Sequence, residues 1–287
     1  MGITPLKNRS SPHPEAARPK RAVQSKAGAS RFRRLLAGAL PFVVVLAAWE
    51  IGWRIAQPPL AILPTPLQVW NVLAGMVSTG ELTDHVLASL RRLAIGSAVG
   101  TSTGIILGVA GGLSRRTAEF LRPLLIFFTA LSGIVWIPLA IAWFGLGTAM
   151  VTFIIWNSVF FLVFGNTVLG AQLVPKVYED GLRSLGASKI QVILQVTIPG
   201  ALPYMMAGIR SGLGFGWRAL IAAELVGAAS GLGYLIYSAA EFHRTDIIIG
   251  GCIVIGALGF LLDRGVLARI ERRTVERWGT KRTEAAG

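Results

Sequence analysis

The residues that can do chemistry in this 287-residue chain are few and widely separated. Its three histidines, His13, His85 and His243, are too widely separated in sequence to indicate a metal-ligand cluster. Its one cysteine, Cys252, excludes an internal disulfide and a cysteine-based metal cluster. No paired carboxylates and no Ser/His arrangement lie in the apolar regions where a membrane enzyme would need them. We therefore predict no catalytic residue, no metal site and no enzymatic activity.

Two charged residues, Arg218 and Glu224, lie in or at the end of a strongly apolar stretch, where a charge is costly unless it faces protein or water. Six residues correspond to a rotation of about 240° on an α-helix, so these side chains do not pair along one helix face. Arg218 can attract an anionic solute, or it can fix a helix by binding backbone carbonyls. Trp136, Trp143 and Trp156 either line a pathway or pack in a core.

The composition is that of a membrane protein. The chain is 53% hydrophobic and 15% charged, with a mean hydropathy of +0.61, whereas about a quarter of a soluble domain is charged. Residues 123–175 contain no Asp, Glu, Lys or Arg, and an apolar helix crosses a bilayer with about 20 residues. These features predict an all-α polytopic membrane protein. The net charge of +14 does not indicate nucleic-acid binding, because the basic residues lie in tails and loops without interleaved aromatic residues.

Six membrane spans can be placed on the apolar segments. Gly96, Gly100, Gly104 and Gly108 recur every four residues in the second span and line a face that another helix can approach closely. Pro138 predicts a kink in the third span. The predicted spans cover residues 35–56, 93–113, 123–144, 150–171, 204–228 and 245–262 of a membrane domain at 35–270, with a disordered tail at 1–34 and a second tail at 271–287.

Positive charge predicts the orientation of the bundle. If the N-terminus is cytoplasmic, 23 of the 28 Lys and Arg residues lie in cytoplasmic tails and loops, while Arg54, Arg91, Arg92 and Arg244 lie outside. We therefore expect both termini and the segment 176–203 to face the cytoplasm.

The cytoplasmic segment 176–203 begins with an amphipathic stretch. Tyr178, Leu182 and Leu185 recur at i, i+4 and i+7 and form an apolar stripe on a helix of about three turns. Such a stripe either packs beneath the membrane domain or anchors the chain to a cytoplasmic partner.

Polar and turn-forming residues shape the rest of this segment. Glu179 and Arg183 have the i,i+4 spacing of a helical ion pair. Gly186 permits a turn, and Ser188 is placed to cap the next helix. The sequence predicts that this second helix ends before Pro199.

The same segment resembles the signature loop of binding-protein-dependent ABC importer permeases. The motif of that family is Glu-Ala-Ala, two or three residues, Gly, nine residues and an Ile-x-Leu-Pro-like end. Here Glu179 begins the motif, Gly186 is its glycine after four intervening residues instead of two or three, residues 187–195 fill the nine positions, and Val196-Thr197-Ile198-Pro199 closes it. Asp180-Gly181 replaces the two alanines and weakens the first turn of the helix.

Four further segments are similar to the nitrate, sulfonate and taurine-type permeases of that family, and the resemblance covers about residues 35 to 270. These segments are Leu63-Pro64-Thr65-Pro66, Ser89-Leu90-Arg91-Arg92, residues 137–147 (IPLAIAWFGLG) and residues 223–234 (AELVGAASGLGY).

The resemblance implies a permease of the bacterial inner membrane, working as two copies, expected as a homodimer, with a cytoplasmic ABC ATPase and an extracytoplasmic solute-binding protein. Because the chain contains no GxxxxGK[ST] phosphate loop, ATP and Mg are expected on the ATPase and no cofactor on this chain. The implied ATPase-docking residues are Tyr178, Glu179, Leu182, Arg183, Leu185, Gly186, Ala187 and Ser188. The candidate substrate-path residues are Trp143, Trp156, Arg218 and Glu224.

The implied solute is a small anion such as an aliphatic sulfonate, taurine or nitrate, and a pyrimidine or another small organic solute is the alternative. The competing class, an ion-coupled secondary transporter, would need intramembrane acids or broken helices at a coupling site. Within the predicted spans before residue 172, Glu50 and Arg54 are the charged residues, and they do not form a proton relay.

Overall fold

The structure of the protein is a computed structural model that describes residues 25–59 and 62–267, and the side chains of residues 40–59 and 62–265. The chain divides into two compact units, and the described part of the first is one helix, α1 (Ser25–Ala56). The prediction of a disordered tail to residue 34 is wrong for residues 25–34, because this Ala- and Arg-rich stretch continues the helix towards the N-terminus. The rest of that tail and the predicted tail at 271–287 lie outside the described residues.

The second unit consists of helices joined by short connections. A 3-10 turn, Gly133–Trp136, precedes α5, and π-helical turns occur at Ile193–Thr197 and Leu262–Leu267. The helices are α2 (Pro66–Ser78), α3 (Glu81–Gly112), α4 (Arg115–Ala130), α5 (Ile137–Phe144), α6 (Thr148–Gln172), α7 (Lys176–Ser184), α8 (Lys189–Val192), α9 (Ile198–Gly227), α10 (Leu232–Glu241) and α11 (Thr245–Leu261).

The described part of the chain contains four helical segments that are long and apolar enough to cross a membrane. A fifth candidate is the bent pair formed by α4 and the segment Gly133–Phe144. These five overlap the second to sixth predicted spans, and the first predicted span lies within α1. The all-α membrane architecture is therefore confirmed.

α6 is the central helix of the second unit, and α3 and α9 pack against adjacent faces of it. The glycine face of α3 lies directly against α6, because a Cβ added to Gly104 would lie 3.0 Å from the Cβ of Val163, and one added to Gly108 would lie 2.6 Å from the Cβ of Thr167. On the adjacent face, a Cβ added to Gly208 of α9 would lie 2.8 Å from the Cβ of Asn166. The predicted close approach along the α3 glycines is thus confirmed.

The third predicted span is not one helix. α4 ends at Ala130, Leu131 and Ser132 are extended, and the chain resumes as a 3-10 turn that leads into α5. The two halves are bent by 85°. The predicted kink at Pro138 is misplaced, because Pro138 lies in the first turn of α5, where a missing amide hydrogen costs no hydrogen bond.

The predicted end of a short helix before Pro199 is also wrong. α8 continues through the π turn Ile193–Thr197 into α9, and together they form one apolar helical segment from Lys189 to Gly227. The amide of Ile198 donates to the carbonyl of Ile193, an i to i+5 bond. Because this wider turn changes the hydrogen-bond register before Pro199, the proline ring enters the helix at its first turn rather than breaking it.

Candidate functional site

The predicted docking segment turns sharply at Gly186, just after the end of α7. Gly186 has a φ of +85°, and no atom lies within 4 Å of a Cβ added there, so the backbone conformation rather than space requires glycine. Its amide donates to the carbonyl of Arg183 (2.9 Å), and the amide of Ala187 donates to the carbonyl of Leu182 (3.1 Å). These two bonds form a Schellman motif, which satisfies the last carbonyls of α7.

The next helix starts two residues later with a capping box. The Oγ of Ser188 accepts from the amide of Gln191 (3.4 Å), and the Oε1 of Gln191 accepts from the amide of Ser188 (2.7 Å). The predicted cap at Ser188 is confirmed, while the sequence reasoning overlooked Gln191 at the third helical position, which is the usual partner in this motif. The corner between α7 and α8 is therefore held by backbone-directed bonds at both ends.

The apolar residues of this segment project away from the bundle. Tyr178 is 62% exposed and Leu185 is 85% exposed, while Leu182 between them is half-buried. Two further apolar side chains past the corner, Ile190 and Leu194, are 68% and 58% exposed. The stripe is thus not covered by the described part of this chain, which favours a partner over packing beneath the bundle.

The predicted ion pair within α7 does not form. Glu179 and Arg183 are both described residues, and their side chains make neither a hydrogen bond nor a salt bridge to each other. Glu179 is half-buried and lines a cleft of about 470 Å³ that also contains Arg122 and Lys176. It therefore lies on the side of α7 that faces the bundle, whereas Arg183 is exposed.

At the opposite end of α9, Glu224 lies in the interior and is 1% exposed. Its Oε1 is 2.8 Å from Nη1 of Arg92, and its Oε2 accepts from the hydroxyl of Ser89 (2.8 Å) and from the amide of Gly233 (3.0 Å). Protein donors therefore occupy both carboxylate oxygens. The structure places this predicted path residue in a buried network and not on an open surface.

The first turn of α10 is bonded to side chains of α3. The amide of Gly231 donates to Nδ1 of His85 (3.0 Å), and the amide of Leu232 donates to Oγ of Ser89 (2.8 Å). The amide of Gly233 donates to the Glu224 carboxylate, so three consecutive N–H groups at the start of this helix have side-chain acceptors. Gly231 has a φ of +112°, and a Cβ there would meet that carboxylate, so only glycine fits.

Arg92 completes the network. The sequence pattern places it among the residues outside the predicted spans, whereas in the structure it lies within α3. It is 6% exposed, because α3 begins at Glu81 and carries it into the bundle. Besides the ion pair, its Nη1 donates to the Ser230 carbonyl (2.6 Å), its Nη2 to the Ser230 hydroxyl (2.8 Å) and its Nε to the Thr148 hydroxyl (3.3 Å). The guanidinium thus joins α3, α6 and the loop between α9 and α10.

A signal for this network was present in the sequence. His85, Ser89 and Arg92 follow the i, i+4, i+7 spacing of one helix face, and that face continues into Gly96, the first glycine of the close-packed stripe. A polar row that extends a buried glycine face indicates buried polar contacts rather than a loop.

The far end of α10 is exposed. Phe242 is 76% exposed, and His243 has a φ of +54°, which is unusual for a residue other than glycine. A hydrogen bond to Glu241, together with the charge of that carboxylate, raises the pKa of the Tyr237 phenol above its usual value. α10 is thus hydrogen-bonded at its start, packed along one side at Leu235 and Ala239, and exposed just past its end at Phe242.

Arg218 lies on an exposed face of α9. Its guanidinium carbon is 5.0 Å from the centre of the Phe215 ring, a cation–π contact, and Phe215 is itself 53% exposed. Among the described residues Arg218 has no carboxylate within salt-bridge distance. Arg218 and Glu224 do not pair, as predicted from their spacing.

The two candidate path tryptophans belong to one aromatic cluster on α5 and α6. Trp143 is 57% exposed and packs edge-on against Phe153 with ring centres 5.9 Å apart. Trp156 is half-buried, lies 5.6 Å from the same ring, and donates its indole N–H to the hydroxyl of Thr103 (3.2 Å). Trp156 therefore contacts α3, while Trp143 lies at the exposed edge of the cluster.

Comparison with known proteins gives a consistent result. The profile of the family described as binding-protein-dependent transport system inner membrane component matches residues 100–275. The chain is 35% identical to the taurine transport system permease protein TauC of Escherichia coli (strain K12). The alignment spans 239 residues and covers 80% of this chain and 86% of that protein. The chain is 31% identical over 252 residues to the bicarbonate transport system permease protein CmpB of Synechococcus elongatus, covering 83% and 91%.

A solved structure also shares the fold. An inward-facing MetNI methionine ABC transporter chain superposes with a TM-score of 0.59 at 18% identity, covering 67% of this chain and 95% of that one.

Proposed function

Because the chain belongs to the family of binding-protein-dependent transport system inner membrane components and is an ABC importer permease, we propose that α7 and its Gly186 corner are the surface through which a separate cytoplasmic ATPase drives it. The observation that supports this is the exposed stripe of Tyr178 and Leu185 beside a rigid corner. Exposed aromatic and aliphatic anchors ringed by polar residues are typical of a docking surface. The ATPase holds ATP and Mg, and its closure moves the permease as a rigid body.

Docking is tested by removing one anchor. In a co-expressed importer, Leu185→Ser is expected to abolish co-purification of the ATPase and ATP-dependent uptake while leaving membrane insertion intact. Leu146→Ser is the matched control, because Leu146 is also exposed (69%) but lies outside the docking segment. An ATPase that still co-purifies with the Tyr178→Ser, Leu185→Ser double variant, with uptake preserved, would refute the assignment.

The transported solute is proposed to be a small anion. TauC is named for taurine, a zwitterion that carries a sulfonate, and CmpB for bicarbonate, so two relatives from different organisms are named for solutes with a negatively charged oxygen group. Arg218, exposed on α9 without a carboxylate partner among the described residues, supplies a matching charge. An aliphatic sulfonate, taurine or nitrate fits this proposal better than an uncharged pyrimidine.

The solute class is tested on the partner binding protein. Its thermal unfolding is measured with taurine, an alkanesulfonate, nitrate, bicarbonate and an uncharged pyrimidine. A rise in the unfolding temperature with one of the anions is expected. A rise with the pyrimidine alone would overturn the anion assignment.

The orientation and assembly follow from the same proposal. Because the sequence predicts that the segments rich in Lys and Arg are cytoplasmic, we infer that α7 faces the cytoplasm and that α10 faces the extracytoplasmic solute-binding protein. The exposed α9 face that carries Arg218 requires a second copy or water in the membrane, because a lone guanidinium in lipid is costly. We therefore infer a homodimer, which native mass spectrometry of the purified importer would detect as two permease chains.

A further inference from the structure

α10 has the construction of a movable element. Its 10 residues span about 15 Å, too short to cross a bilayer. It begins after Gly231 (φ +112°) and ends just before His243 (φ +54°), so a left-handed backbone residue flanks it on each side. Such positions at the ends of an element can absorb a change of direction while the helix between them stays rigid.

The contacts at the start of α10 are of a kind that defines one position. Glu224, with 0% of its side chain exposed, and Arg92, with 7%, form the ion pair, and the amide of Gly233 in the first turn of α10 donates to the same carboxylate. A buried ion pair adds little net stability relative to apolar packing, but it is very unfavourable when one partner is displaced. The Arg92–Glu224 pair is therefore sensitive to small movements of α10, since a displacement would leave one of the two charges buried without its partner.

The geometry points to a latch: we propose that Ser89, Arg92 and Glu224 hold α10 in a closed position at the extracytoplasmic end of the bundle, and that the latch opens during the transport cycle. In the closed position the first turn of α10 is bonded to α3 and α9. In the open position α10 swings about Gly231 and His243, and its exposed tip at Phe242 is the part that meets the arriving binding protein. The link to the transport cycle rests on the proposed importer function; the latch itself rests on the contacts.

A cysteine reporter on α10 tests the latch. Ala239 is 4% exposed and lies within α10, so Ala239→Cys changes little volume and is shielded while α10 is closed. The one native cysteine, Cys252, is exposed and is first replaced by serine. The assembled importer in lipid vesicles is then treated with a membrane-impermeant maleimide.

The expected result is slow labelling with the latch intact and an increase of about tenfold with Glu224→Gln, a typical size for coupling between two states. Two matched controls carry the same chemical change outside the latch: Glu241→Gln on α10 and Arg91→Gln beside Arg92 on α3, both at exposed positions. They are expected to leave labelling unchanged. Equal labelling of the Glu224→Gln variant and the parent would overturn the latch.

A second readout separates a latch from a merely structural pair. Importers carrying Arg92→Gln are expected to hydrolyse severalfold more ATP per solute imported than the parent, and Arg92→Lys is expected to restore part of the coupling. A structural role alone would lower the amount of folded protein but leave this ratio unchanged, which would also refute the proposal. If the parent shows no ATP-dependent uptake at all, the importer function fails, whereas the labelling result still decides the latch.

Should the buried variants fail to fold, Ser230→Ala provides a milder test. It removes the hydroxyl that accepts from Nη2 of Arg92 at the half-buried edge of the network, and leaves the ion pair in place. Labelling at Ala239→Cys is then expected to rise about two- to threefold, as the loss of one hydrogen bond predicts. No rise in this variant would count against the latch.

Discussion

Nη1 of Arg92 lies 2.8 Å from Oε1 of Glu224, although 132 positions separate the two residues in the chain. This contact joins α3 to the end of α9 in the interior of the bundle. Truncating one partner would leave the other charged and buried, whereas removing both would not.

We therefore expect Arg92→Ala to lower the free energy of unfolding by about 3–5 kcal/mol. The neighbouring Arg91→Ala, at an exposed position, is expected to change it by less than about 0.5 kcal/mol. Thermal unfolding of the purified permease, followed by size-exclusion chromatography after heating, measures both. Equal unfolding temperatures for the two variants would contradict the assigned ion pair. The double variant Arg92→Met, Glu224→Leu is expected to recover much of the loss.

The close packing of α3 on α6 gives a second prediction. A Cβ at Gly108 would lie 2.6 Å from the Cβ of Thr167, so Gly108→Ala forces the helices apart and is expected to cost about 1–3 kcal/mol of unfolding free energy. Gly256→Ala in α11 is the control, because no atom lies within 4 Å of the added Cβ. It is expected to be neutral or to stabilise the helix by up to about 1 kcal/mol. A comparison of the two midpoints of thermal unfolding checks this pair.

How much of the fold the sequence predicts depends on how local each feature is. The α3 glycine face and the Ser188 cap were predicted correctly because both follow from spacing within one element. The Arg92–Glu224 pair was not predicted, since two distant segments come together only when the whole bundle is packed. The break at Leu131 and Ser132 was not predicted for a related reason. The apolar run around it carries no local signal of a bend that tertiary contacts impose.

The candidate site divides in the same way. The corner at Gly186 was predicted from a residue type with a definite backbone preference, and the structure shows it. The docking role of Tyr178 and Leu185 stays a prediction, because it concerns contacts with a separate ATPase chain. Glu224 was identified from its charge alone, whereas its buried partners can be identified only from the folded structure.

Two glycines of the α7 segment are expected to respond in opposite ways to alanine. Gly186→Ala places a side chain at φ +85° and is expected to cost about 1–2 kcal/mol and to reduce ATP-dependent uptake by distorting the corner. Gly181→Ala, inside the helix with open space around it, is expected to stabilise α7 by about 0.5–1 kcal/mol and to leave uptake unchanged. Uptake and ATPase co-purification distinguish the two. Uptake lost in Gly181→Ala but not in Gly186→Ala would contradict the assigned corner.

The last prediction concerns the charge on α9. If Arg218 contacts the passing anion, Arg218→Gln removes a charge-assisted hydrogen bond of about 1.5–3 kcal/mol. The rate constant of anion uptake at limiting solute is then expected to fall by about tenfold or more, and Arg218→Lys is expected to retain part of it. Phe215→Leu, which removes the ring beneath the guanidinium but keeps the charge, is the matched control and is expected to have a smaller effect. Vesicle uptake at limiting solute measures the three variants, and unchanged anion uptake in Arg218→Gln would assign this side chain to helix packing instead.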